Sequence, residues 1–142
     1  MNKIIAVTAA VSTLIMLLIG ITFVFSDERF GSILLAVLLL SIPLLVAHCM
    51  VCIFCRTRFR QAHPGLNKVG QYAFIATACV YVYWNALMLL DIWQKGYMSE
   101  AHGYTGLILW LGGGQALFVG AGIGFLIHVI ANITKKFNNK QK

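Results

Sequence analysis

Apolar residues fall along this chain in four long blocks separated by short polar stretches. Ile4 to Phe25 and Val69 to Leu90 each run 22 residues without a charge. Phe30 to Cys55 runs 26 and Gly103 to Thr134 runs 32, each interrupted by one histidine. A helix needs about 20 apolar residues to cross the roughly 30 Å hydrocarbon core of a bilayer. All four blocks pass that test. The pattern predicts an all-α fold, an integral membrane four-helix bundle in up-down-up-down order, with spans at about 4–25, 31–55, 70–91 and 104–131. Residues 1–142 form a single membrane domain on this reading. A cytoplasmic loop then covers 56–68, an external loop 92–102 and a polar, mobile tail 135–142. The last block exceeds one straight crossing, so it tilts or its ends lie in the interface. The first block is too long for the apolar core of a cleaved signal peptide, and Thr22 to Glu28 offers no small-x-small cleavage site.

Within the blocks, the few polar and small residues fall on helical faces. Thr8 and Ser12 are four apart in the first span and share a face that can hydrogen-bond a neighbour. The turn Ser26–Arg29 is short enough to make the first two spans antiparallel neighbours. Pro43 predicts a kink in the second span, because it has no amide hydrogen and clashes with the carbonyl of Leu39. At about 100° per residue, Ser41, His48, Cys52 and Cys55 share a stripe, with Cys49 to one side. Thr77, Tyr81 and Asn85 lie along one face of the third span. Gly106, Gly113, Gly120 and Gly124 fall in a narrow arc of the fourth, which allows another helix backbone to approach closely. Trp93, Tyr97, Tyr104 and Trp110 flank the external loop as an interfacial aromatic belt does.

Composition agrees with the blocks: 60% of residues are hydrophobic and 11% charged, against about 25% charged in an ordinary soluble domain. Charge then orients the bundle. The net charge of +7 would suggest nucleic acid in a soluble protein, but its distribution points elsewhere. Lys3, Arg56, Arg58, Arg60, Lys68, Lys135, Lys136, Lys140 and Lys142 fall on one side of the four-span arrangement; Arg29 and Lys95 fall on the other. By the positive-inside rule the basic side is cytoplasmic and both termini are inside, with Arg56, Arg58, Arg60, Lys135 and Lys136 as the topology determinants. All four acids, Asp27, Glu28, Asp91 and Glu100, fall on the opposite side. The expected location is the bacterial inner membrane.

Candidate chemistry is sparse. Cys49, Cys52 and Cys55 repeat every three residues and are the metal candidates. However, His48 to Cys55 spans about 10 Å of helix while metal bonds are about 2–2.3 Å, so one ion on a regular helix is not held by the set. Cysteine also behaves as a small hydrophobe in packed interiors, which is the simpler reading. His48 lies eight residues before Arg56 and His128 seven before Lys135, which predicts equal depth on two helices running the same way. That arrangement is a workable axial pair for a b-type haem, with glycines beside His128 leaving room for the ring. A lone histidine per helix is as readily a hydrogen-bonding residue. No carboxylate lies inside a span, and no catalytic triad, phosphate loop or carboxylate pair is present, so no catalytic residue and no enzyme activity is expected.

The residues therefore point to a small polytopic membrane protein that works by helix–helix binding, with the lipid bilayer and another membrane protein, or a second copy, as partners and no nucleic acid. An accessory subunit of a membrane complex and an immunity-type protector against a membrane-inserted toxin both fit. A haem-binding subunit using His48 and His128 and a self-assembling pore or holin are the competing expectations.

Overall fold

The computed structural model describes residues 3–25, 30–95 and 105–140. Among them every regular element is an α-helix: α1 (Lys3–Val24), α2 (Phe30–Leu40), α3 (Ile42–Phe54), α4 (Thr57–Ala62), α5 (Pro64–Lys95) and α6 (Thr105–Lys140). Helices α1, α5 and α6 are each long and apolar enough to cross a membrane, and α2 with α3 make a fourth such segment if the bent pair counts as one.

The second apolar block is broken where a kink was expected, and α2 and α3 meet at 50°. Pro43 lies in the first turn of α3 and donates no backbone hydrogen bond. Around it the ladder runs from the Ser41 amide to the Val37 carbonyl at 3.1 Å, then from the Leu45 amide to the Ser41 carbonyl at 2.8 Å. The Tyr81 hydroxyl of α5 donates to the Leu40 carbonyl at the break. A buried tyrosine needs such a partner, and Tyr81 is completely buried.

Three boundaries differ from those expected from charge. The connector 56–68 is mostly helical, since α4 occupies Thr57–Ala62 and α5 starts at Pro64. Arginine and lysine are good helix formers; Pro64 is what separates the two, as a proline suited to an initial helical position. Helix α5 continues through Lys95, closed by an Asp91–Lys95 ion pair of 2.6 Å. Helix α6 runs through Lys140, so most of the expected tail is helical, and its 36 residues extend about 54 Å. The turn 26–29, residues 96–104 (with Tyr97, Glu100, His102 and Tyr104) and residues 141–142 lie outside the described residues.

The interior is assembled from α1, α3, α5 and α6. Ile15 and Ile19, Leu44, Ala47 and Val51, Phe74, Ala78 and Tyr81, and Leu109 form one buried apolar cluster. Helix α2 buries no residue. Polar side chains are also inside: Thr8, Ser12, Thr22, Ser41, Thr77 and Asn85 are buried. Most use a carbonyl one turn back, as Thr77 does with Ala73 at 2.8 Å and Asn85 with Tyr81 at 2.8 Å. Large apolar side chains face outward, among them Phe30, Leu38, Phe118 and Phe125. This distribution supports a membrane protein, because apolar surface in water is unfavourable by about 25 cal/mol per Å².

Glycine permits the close approach of α6 to α5. A Cβ at Gly120 would strike the Tyr72 carbonyl oxygen and lie 2.8 Å from the Ala73 Cα; one at Gly124 would lie 2.6 Å from the Lys68 carbonyl oxygen. Gly113 faces the Tyr81 ring, and Gly106 faces the Leu40 side chain. Rising numbers on α6 meet falling numbers on α5, so the two helices are antiparallel. Introducing Gly120→Val should destabilise the detergent-solubilised protein by roughly 1–3 kcal/mol through overpacking. Gly122→Val, whose Cβ would meet nothing within 4 Å, should leave the denaturation midpoint nearly unchanged.

Candidate functional site

The face of α3 that carries His48 and Cys52, with Cys55 just past the helix end, turns toward α1 and the start of α5. His48 is half-buried; its Nδ1 lies 3.0 Å from the Ser12 Oγ of α1 and its Nε2 3.3 Å from the Cys52 Sγ one turn on. Ser12 has one hydroxyl hydrogen, and its 2.6 Å contact with the Thr8 carbonyl uses it. The serine oxygen therefore accepts, so His48 Nδ1–H donates. That leaves Nε2 as the acceptor for the Cys52 thiol. The Phe74 ring of α5 stands edge-on to the imidazole at 6.5 Å. The chain Cys52–His48–Ser12–Thr8 thus joins α3 to α1 with every proton assigned by its neighbours.

The other cysteines diverge from it. Cys55, fully buried, donates to the Asn67 Oδ1 at 2.9 Å, and Gln71 donates to the same oxygen at 3.1 Å. Cys49 is exposed on another side of α3. No group of three or more histidine, cysteine or acidic side chains among the described residues is arranged to hold a metal ion. Asn67 and Gln71 were not singled out from sequence. Their signal is their i, i+4 spacing in the first turns of α5, which begins ahead of the span expected from residue 70.

His48 and His128 do not share a level. His48 packs against Phe74, whereas the His128 ring lies against Gly65, at 2.8 Å from the Cβ that residue lacks. Nine residues of α5 separate these contacts, about 13 Å along its axis. The depth match expected from the flanking basic residues is corrected here. Arg56 follows the end of a bent helix, but Lys135 lies within a helix that continues, so the two are not equivalent rulers. His128 Nε2 instead pairs with Asn132 Nδ2 at 2.9 Å on its own helix.

Charge is concentrated at one end of the molecule. Lys3 and Gln71 line one groove, and Cys55 touches Asn67, which brings the start of α1, the end of α3 and the start of α5 together. Exposed Arg56, Arg58, Arg60 and Lys68 belong to this end, and exposed Lys135 and Lys136 extend past it on α6. Asp91 and Lys95 occupy the other end of α5. No family model matches the chain, and no significant match was found among curated proteins or solved structures.

A double-mutant cycle should detect the junction between α1 and α3. Ser12→Ala and His48→Ala should couple by about 0.5–1.5 kcal/mol, the range of interhelical hydrogen bonds in membranes. His48→Ala and His128→Ala should be additive to within about 0.5 kcal/mol, both read from denaturation in detergent.

Proposed function

We propose that the chain is a four-helix, up-down-up-down bundle of a bacterial inner membrane, with both termini cytoplasmic, that acts by binding other membrane proteins through its helix faces. The basic end lies in the cytoplasm on this reading, and the Asp91–Lys95 end outside. The role is that of an accessory subunit of a membrane complex or of a protector that occupies a membrane-inserted toxin.

One observation carries the binding reading. Gly106, Gly113, Gly120 and Gly124 are explained by contacts inside the molecule, but Gly114 and Gly122 are not, because a Cβ at either would meet nothing within 4 Å. Each glycine in a helix interior costs about 1 kcal/mol relative to alanine. The two flank Phe118 at four-residue spacing, and Phe118 is 76% exposed. A large aromatic between two openings on one face is a knob with adjacent holes, the surface another helix can approach closely. The same face favours a partner over a pore, since Leu111, Phe118 and Phe125 would give a ring of copies an apolar lining. The axial offset between His48 and His128 favours it over a haem held between them.

Purification in mild detergent, followed by identification of co-purifying membrane proteins, tests this reading. Gly114→Leu combined with Gly122→Leu should reduce the recovered partner about tenfold, equivalent to about 1.4 kcal/mol, while helicity is kept and melting is not lowered. Gly31→Leu on α2, which also meets nothing within 4 Å, should retain it. A reporter active only in the cytoplasm should be active when fused to either terminus; activity from a fusion in the 96–102 segment would invert the topology.

A further inference from the structure

We propose that the groove between α1 and α5 holds one acyl chain of an anionic phospholipid, with the lipid phosphate at Lys3. The inference rests on the membrane reading above and names a ligand that the reading does not. The groove has a volume of about 510 Å³ and is floored by Val51 of α3, within the range of about 300–1,000 Å³ typical of small-ligand sites.

Its walls are graded. Lys3 and Gln71 mark one end, while Val7, Phe74 and Ala78 form the apolar stretch beyond. Thr8 also lines it, but its hydroxyl donates to the Ile4 carbonyl at 2.7 Å and is already used. From Lys3 to Val11 on α1, and from Gln71 to Cys79 on α5, the lining extends about 12 Å at 1.5 Å per residue. An apolar trough with a lysine at one end fits an amphiphile with one linear tail.

Charge selects the head. Asp91 is the one acid among the described residues; it is paired with Lys95, about 30 Å along α5 from Gln71. The ammonium of Lys3 therefore has no carboxylate partner among the described residues, and a phosphodiester supplies the missing charge. The trough lies between two adjacent helices and is lined almost wholly by apolar side chains, the surroundings an acyl chain takes.

The test is native mass spectrometry of delipidated full-length protein in mild detergent, offered equal amounts of phosphatidylglycerol and phosphatidylcholine with identical acyl chains. Wild type should retain one phosphatidylglycerol with a preference of about fivefold, the increment expected for one lysine at a membrane surface. Lys3→Glu should abolish the preference, and Val7→Trp, which fills the trough from a 63% exposed position, should reduce retention of both lipids. Equal retention of the two lipids by wild type, or indifference to either substitution, overturns the proposal. So does a photo-crosslinker at position 7 that captures a protein in place of lipid. Protein that needs no detergent after an alkaline wash would instead refute the membrane reading itself, whereas detergent-requiring, folded protein without lipid selectivity refutes only this site.

Discussion

The backbone-to-backbone contact between α5 and α6 is the constraint on which the other packing depends. At Gly120 and Gly124 main-chain atoms of Lys68, Val69, Tyr72 and Ala73, with the Ala76 methyl, occupy the space that Cβ atoms would take. Apolar surface provides little drive for association within lipid, so van der Waals packing and hydrogen bonds must do so. Close approach maximises the first. The position it imposes on α5 then supplies the second: the Tyr81 ring lies over Gly113, and its hydroxyl reaches the Leu40 carbonyl at the break between α2 and α3. One run of glycines on α6 is thereby linked to the shape of a helix it barely resembles in composition.

Polar groups inside the molecule are handled locally first and between helices second. Thr8, Ser12, Thr22 and Thr77 each return a hydroxyl proton to a carbonyl one turn back. This economy leaves few groups able to reach across, and those that do carry specificity: Ser12 as an acceptor for His48, Tyr81 as a donor to Leu40, and Cys55 as a donor to Asn67. The Ser41 hydroxyl and the Asn85 side-chain oxygen Oδ1 are buried near the break without a partner. A buried polar atom left unpaired costs about 1–3 kcal/mol, so the break is the least satisfied part of the interior.

Much of this was legible in the sequence where a feature depends on one helix alone. The apolar blocks gave the long helices, Pro43 marked the bend, and the 3.6-residue period gathered Thr77, Tyr81 and Asn85 on the face that is buried. What failed depended on relations between helices or on reading charge as an end. Arg56 to Lys68 looked like a connector because it is basic, yet charge does not stop a helix; Pro64 alone divides it. Counting inward from Arg56 and Lys135 put His48 and His128 at one depth, but the bend and the extension of α6 separate their contacts. Ser12 was recognised as able to bond a neighbouring helix. Its pairing with His48 awaited the register of α1 on α3, which no single-helix pattern encodes.

The break at Ser41 has a mechanical consequence. Helix α2 is an arm of 11 residues, about 16 Å long, with no buried residue along its length. At its C-terminal end Tyr81 holds the Leu40 carbonyl, and Val37 and Leu40 pack against the core. Its other end is joined to α1 by residues 26–29. Helix α2 is therefore a strut tied at both ends, and the length between presents its side chains outward.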